Sequence, residues 1–224
     1  MARVTGSAVM GRMSGTFGTA VLSQTQDGTV MRARPAGNPH RSAGQRAQDA
    51  RMIFANRMWQ TMTFEQATAW RSYALSLATR NPATGGLRMP AAYRLFTGYS
   101  TKYLQIHGGV EAPGLPPSGR FNGDVVNVSL EGGSNEVVLV ADRANLPGVL
   151  TEIKGQRVKN PNNLPKAKSY VTLGFVSFEA GVPVSIPVGL PGTWVFAIGF
   201  VEASSGRMTE AAEIGRAAIT GEWI

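Results

Sequence analysis

The spacing of apolar residues changes once along this chain, and that change constrains the fold more than any other feature. From about residue 41 to the stretch 108–119, which holds Pro113, Pro116 and Pro117 among four glycines, apolar residues recur at helical intervals. After it they fall in short alternating runs separated by turn residues. The expected fold is α+β. Its parts are an extended arm with a β-hairpin over 1–40, a helical domain of two to three helices over 41–107 and a linker over 108–120. An antiparallel β-sandwich of immunoglobulin-like size follows over 121–224.

In the arm, Gly6, Gly11, Gly15, Gly18 and Gly28 recur too densely for a helix. Residues 16–25 are β-prone, Gln26-Asp27-Gly28 supplies a turn, and residues 29–34 return with Arg32 and Arg34 on one face. Two strands bury too little to stand alone, so this hairpin needs a surface to lie on. After a break over 35–40, Ser42 with Gln45 reads as a capping box opening a helix to about residue 62. Ala47, Ala50, Phe54 and Met58 form its apolar stripe. Thr63 with Gln66 repeats the box, with Ala67, Trp70, Ala74 and Leu77 as the second stripe. Asn81 to Gly86 reads as a loop. Pro90 opens a third helix to about His107, edged by Tyr93, Phe96, Tyr99 and Tyr103. Seven strands are expected beyond the linker, over 124–130, 135–141, 150–158, 168–175, 182–186, 193–201 and 211–219.

Charge is unevenly placed. Residues 1–120 hold 14 Lys/Arg against 4 Asp/Glu, and 13 of those bases are arginine; residues 121–224 hold 8 against 10. Arginine suits planar contacts to carboxylate or phosphate and tolerates interfaces. Arg32, Arg34, Arg41, Arg46, Arg51 and Arg57 are therefore the candidate interface residues. Acidic protein faces are the preferred partner and nucleic acid the alternative. No apolar run approaches the about 18 residues of a membrane span, and the first residues lack a signal-peptide pattern. The expectation is a chain without a membrane partner.

Enzymatic chemistry finds little to use. The chain has no cysteine, which removes thiolate chemistry and disulfides. His40 and His107 lack partners at metal-ligand spacing, so no metal or cofactor is expected. Gly6 to Arg12 departs from a phosphate-binding loop, because Arg12 and Met13 follow the second glycine. No Gly-x-Ser-x-Gly elbow occurs. The chain is expected to be non-catalytic. Asn127-Val128-Ser129 fits a glycosylation sequon and is read as chance.

Gly28 to Pro35, Asn38-Pro39, Gln45-Arg46-Ala47-Gln48, Thr61 to Gln66 and Ala69 to Ala74 together resemble a class of bacteriophage virion structural proteins. In that class a Gly-rich hairpin and an Asn-Pro break precede paired helices. The second helix opens with a Thr-Pro-Glu-Gln-like start before Ala-Trp-x-x-Tyr-Ala; here Phe64 replaces the proline. Met89 to Phe96 resembles a third block, and the likeness covers roughly residues 1–107. It implies a virion location after assembly in a host cytoplasm, and other virion proteins as partners, the major capsid protein foremost, with the chain itself a homo-oligomer. Four roles follow as expectations. The first is a decoration or cement protein docked through its basic half, and the second a neck or tail connector. The third is a nucleic-acid-binding packaging protein, and the fourth a carbohydrate-binding adhesin using Trp194 or Trp223.

Overall fold

The computed structural model describes residues 2–4, 15–25, 28–34, 41–80, 85–109 and 111–221. The chain is α+β and separates into two compact units, Met1–Arg46 and Ala47–Ile224.

The first unit contains a four-stranded antiparallel sheet. Its strands are β1 (Ala2–Val4), β2 (Gly15–Phe17), β3 (Ala20–Thr25) and β4 (Gly28–Ala33), in the order β1-β4-β3-β2. The expected return is the β3–β4 pair, with Thr25 opposite Gly28; the turn residues 26 and 27 lie outside the described residues. The continuous strand expected over 16–25 is instead broken at Gly18-Thr19. Gly18 sits at φ 56°, a left-handed conformation that lets β2 fold back with Phe17 opposite Ala20. Arg34 N–H donates to Thr19 O at 2.6 Å and fastens this corner. β1 adds a strand on the other side of β4, so the hairpin is part of a wider sheet. Of residues 15, 16, 18–23, 30–34 and 41–46, for which burial is described in this unit, none is buried: Ala20 to Ser23 and Val30 are half-buried, and Met31 to Arg34 are exposed. The expected break at 35–40, with His40, lies outside the described residues.

Helix α1 (Ala43–Gln60) begins at the end of this unit and continues into the next. Both bonds of its capping box form, Gln45 N–H to Ser42 Oγ at 3.2 Å and Ser42 N–H to Gln45 Oε1 at 3.0 Å. Its apolar seam differs from the expected one. Ala47 and Ala50 are exposed, whereas Ala55 is buried and Phe54, Met58 and Trp59 are half-buried. The physical reason is size: Trp59 packs at 5.6 Å from Phe96 and 5.8 Å from Tyr93, and two rings outweigh two alanine methyls in buried area.

Helix α2 (Phe64–Ser76) starts on the expected capping box at Thr63 and buries Trp70 and Ala74. Leu77, expected on its stripe, is exposed just past its end. A short pair, β5 (Thr79–Arg80) and β6 (Leu87–Arg88), leads to α3 (Ala92–His107). Residues 81–84 between β5 and β6 lie outside the described residues. α3 ends on Gly108 at φ 59°, the left-handed closing residue of a helix. Phe96 is its anchor, edge-on to Trp70 at 5.4 Å.

The remaining strands are β7 (Val128–Gly132), β8 (Glu136–Ala141), β9 (Val149–Val158), β10 (Val171–Val176), β11 (Pro183–Pro187), β12 (Gly192–Glu202) and β13 (Ala212–Ile219). They form two antiparallel sheets, β10-β9-β12-β13 and β11-β8-β7. One core joins them: Val137, Leu139 and Ile186 from the smaller sheet pack with Ile153, Phe196 and Ile198 from the larger. The large residues at 194, 196, 198 and 200 do point to this core, as their alternation requires. Two strands start later than expected. Residues 124–127 precede β7, and a 3-10 turn at Ala167–Ser169 precedes β10. The prolines at the two ends of β11 sit on a sheet edge, where the missing donor costs no ladder bond.

Candidate interaction surfaces

The six candidate arginines divide between the two units. Arg32 and Arg34, at the end of β4, are exposed, as are Arg41 and Arg46 around the start of α1; all four belong to Met1–Arg46. Arg51 and Arg57 belong to the second unit. Arg57 is exposed in the last turn of α1, where a cation favours the negative end of the helix dipole. Arg51 is half-buried and donates from Nη2 to Gln48 Oε1 at 3.0 Å, so part of its function is internal.

Further arginines gather where α2 gives way to α3. A cleft of about 540 Å³ is lined by Leu77, Arg88, Met89, Pro90 and Arg94 among others. Leu87 and Met89 beside it are 65% and 54% exposed. Mixed arginine and large apolar groups are the composition of protein interfaces. The sequence signal was the even spread of arginine up to residue 94; spacing along the chain could not show that β5 and β6 fold these residues together.

A polar seam lies between α3 and the larger sheet. Glu152 alternates with core residue Ile153 on β9 and so faces the opposite side. Its side chain is 1% exposed. Lys102 Nζ reaches Oε1 at 2.8 Å, Thr172 Oγ1 donates to the same oxygen at 2.5 Å, and Lys154 Nζ lies 3.4 Å from Oε2. Burial alone would raise the Glu152 carboxyl, but these hydrogen bonds and the two ammonium charges hold it below the usual carboxylate range. Burial likewise pulls Lys102 below its ordinary value, against the pull of Glu152. The two shifts oppose one another; the short, doubly donated geometry at Glu152 decides for the ion pair at neutral pH.

A second network pins the stretch 108–120. Trp70 Nε1 donates to Gly114 O at 3.0 Å, and Arg207 donates from Nη1 to Gly119 O at 2.9 Å and from Nη2 to Glu202 at 3.0 Å. The Gly/Pro-rich segment therefore packs between α2 and the β12–β13 loop, within the unit Ala47–Ile224. Gly206 in that loop lies at φ 73° with the α3 backbone at Tyr99 and Tyr103 against it, so any Cβ would collide with backbone. His107, exposed, donates from Nε2 to Ala203 O at 2.8 Å and closes the same junction.

The remaining sequence candidates have structural partners. Trp194 is 9% exposed in the sandwich core, with its indole N–H on Leu190 O at 2.9 Å. Trp223 lies outside the described residues. Asn127 of the sequon donates from Nδ2 to Asp142 at 2.9 Å. Among the described residues no group of three His, Cys, Asp or Glu could hold a metal ion, and no helix is long and apolar enough to cross a membrane.

No protein-family model matches the chain, and no curated protein matches it. Among solved structures, a family 76 glycoside hydrolase from a bovine Bacteroides thetaiotaomicron strain aligns at 15% identity and a TM-score of 0.32, over 43% of this chain and 20% of that one. A superoxide reductase (neelaredoxin) from Ignicoccus hospitalis aligns at 16% identity and a TM-score of 0.22, over 45% of this chain and 81% of that one. Likenesses this partial assign no activity to the chain.

Proposed function

We propose that the chain is a non-catalytic virion structural protein, decorating or cementing a capsid through its basic N-terminal half, with the β-domain projecting. One observation carries the reading: Arg32 and Arg34 at the end of β4 are exposed, and none of residues 15, 16, 18–23 and 30–34 of this sheet, for which burial is described, is buried. A small sheet that buries little gains stability by lying on another surface, and arginines at the end of β4 favour an acidic one. The major capsid protein is the partner this chemistry fits, in repeated symmetric contacts. The arginine and apolar cleft at Arg88 and Arg94 extends the same basic character along the chain.

The test is deletion of residues 1–40 followed by sedimentation with purified particles. Loss of association with the rest of the chain still folded is the expected result; normal association of the truncated protein removes the arm as anchor. Electron microscopy then fixes the role. Hundreds of copies on the shell support cement, whereas a dozen or fewer at one vertex would favour a neck or tail connector.

A further inference from the structure

A glycine inside a helix is costly, because it gives up more chain freedom on folding than any other residue. Gly98 of α3 has no packing reason for that cost: a Cβ there would meet nothing within 4 Å beyond its own turn of backbone. Gly98 lines instead a cleft of about 440 Å³, with Gln48 and Met52 of α1 and Tyr93, Thr97 and Thr101 of α3. Gln48 and Met52 stand one turn apart, as do Tyr93, Thr97 and Thr101, so the walls are two helical stripes. Tyr93 is fixed on the α1 side, donating from its hydroxyl to Asn56 Oδ1 at 2.7 Å with Trp59 edge-on at 5.8 Å.

Thr97 is the second departure from helical habit. Thr61, Thr68 and Thr101 each donate their hydroxyl to a carbonyl one turn back. Thr97 is 8% exposed, yet its Oγ1 finds no hydrogen-bond partner among the described residues. A buried hydroxyl left unpaired is unfavourable, and a ligand oxygen that accepts from it recovers the loss. Met52 and Tyr93 beside it are exposed, so the same cleft offers apolar surface to a partner. The surrounding charge states the sign of that partner. Residues 47–107 hold seven Lys/Arg against two Asp/Glu, and the one lysine is already paired with Glu152. Arg94, exposed, also lines the cleft, and no carboxylate does.

We propose that the α1–α3 groove docks an acidic amphipathic helix of a partner protein. One large apolar side chain of that helix fills the space over Gly98, against Met52 and Tyr93, while its carboxylates meet Arg94 and accept from Thr97. Two helical stripes with a small residue at the floor suit a third helix laid between them. A second copy of this basic helical region would bring like charge to the groove. A nucleic-acid backbone needs several cations in a row, and Arg94 is the one cation lining this cleft among the described residues. The groove lies within Ala47–Ile224 and so stands apart from the docking assigned to the arm.

The experiment titrates the full-length protein with three fluorescein-labelled peptides, read by anisotropy and amide chemical shifts. The first peptide is an amphipathic helix with Leu along one stripe and Glu elsewhere; the second carries Lys for Glu, and the third Ser for Leu. Saturable binding of the first alone is expected, with shifts at residues 48–52 and 93–101. Gly98→Leu fills the open space with a good helix former, so the melting temperature should hold or rise while affinity falls at least about tenfold. Thr97→Val removes the unpaired hydroxyl at constant shape, and should weaken binding about fivefold with no loss of melting temperature. Arg32→Gln with Arg34→Gln should leave binding unchanged. Absence of saturable binding, equal binding of the Lys peptide, or undiminished binding by Gly98→Leu overturns the proposal. Self-association that Gly98→Leu abolishes also overturns it, in favour of a second copy. If Gly98→Leu fails to fold, Thr97→Val and the location of the wild-type shifts decide.

Discussion

Strands β4 and β12 are both paired on two sides, yet they are stabilised differently. β12 places Trp194, Phe196 and Ile198 in a core shared by two sheets. β4 lies between β1 and β3 with Val30 half-buried and Met31 to Ala33 exposed. The backbone ladders are alike; the burial is not. A backbone hydrogen bond adds only about 1 kcal/mol net, because water competes for the same groups, while filling a core adds a few kcal/mol per large side chain. The comparison teaches that equal backbone pairing can come with very different burial, and that burial sets how much each strand stabilises the fold.

The largest effect should come from the core. Phe196→Ala is expected to cost about 3–5 kcal/mol in urea unfolding, and Val30→Ala on β4 under about 1 kcal/mol. Equal costs would mean the N-terminal sheet has a core of its own and would break the comparison. Next is the buried ion pair. Glu152→Ala strands Lys102 without its partner and should cost about 3 kcal/mol. Its pH dependence has a definite sign. The Glu152 carboxyl is held below its ordinary 4.5, so its stabilisation is complete above that pH and is lost as pH falls through the lower folded value. Melting temperature measured from neutral pH downward should therefore fall less steeply in Glu152→Ala than in the native chain.

Gly206→Ala should cost about 1–3 kcal/mol, because its left-handed backbone and the α3 backbone both reject a side chain. A neutral result would show that the β12–β13 loop can leave α3 freely. Thr63→Ala removes the α2 cap, with a loss of about 1 kcal/mol in thermal unfolding. The smallest change belongs to the arm. Arg32→Ser with Arg34→Ser should shift stability by less than about 0.5 kcal/mol while weakening particle association in sedimentation. A stability loss comparable to Thr63→Ala would turn these two arginines from docking groups into structural ones.

The helices and most strands were legible because their signals are local. Ser42 with Gln45 and Thr63 with Gln66 each fit in four residues, and the alternation over 193–201 sits within one strand. The α1 seam was not legible, because Trp59 selects its face through rings on α3. The turn at Gly18-Thr19 was hidden by β-prone neighbours on both sides. Lys102 and Glu152 meet across 50 residues, a distance no periodicity records. Of the candidate site, Arg32 and Arg34 are exposed, but so are Met31 and Ala33, so alternation does not account for their exposure.

The long ladder between β9 and β12 also governs the order in which the chain can fold. Its partners range from Val158 with Thr193 to Val149 with Glu202, so it closes across intervals of 35 to 53 residues. Such non-local pairing slows folding, because the loop entropy is spent before the contacts form. The β3–β4 hairpin closes between Thr25 and Gly28 and leaves the ribosome before β9 and β12. During synthesis the N-terminal sheet can thus take shape well before the β-domain, at a stage when the C-terminal core is still unmade.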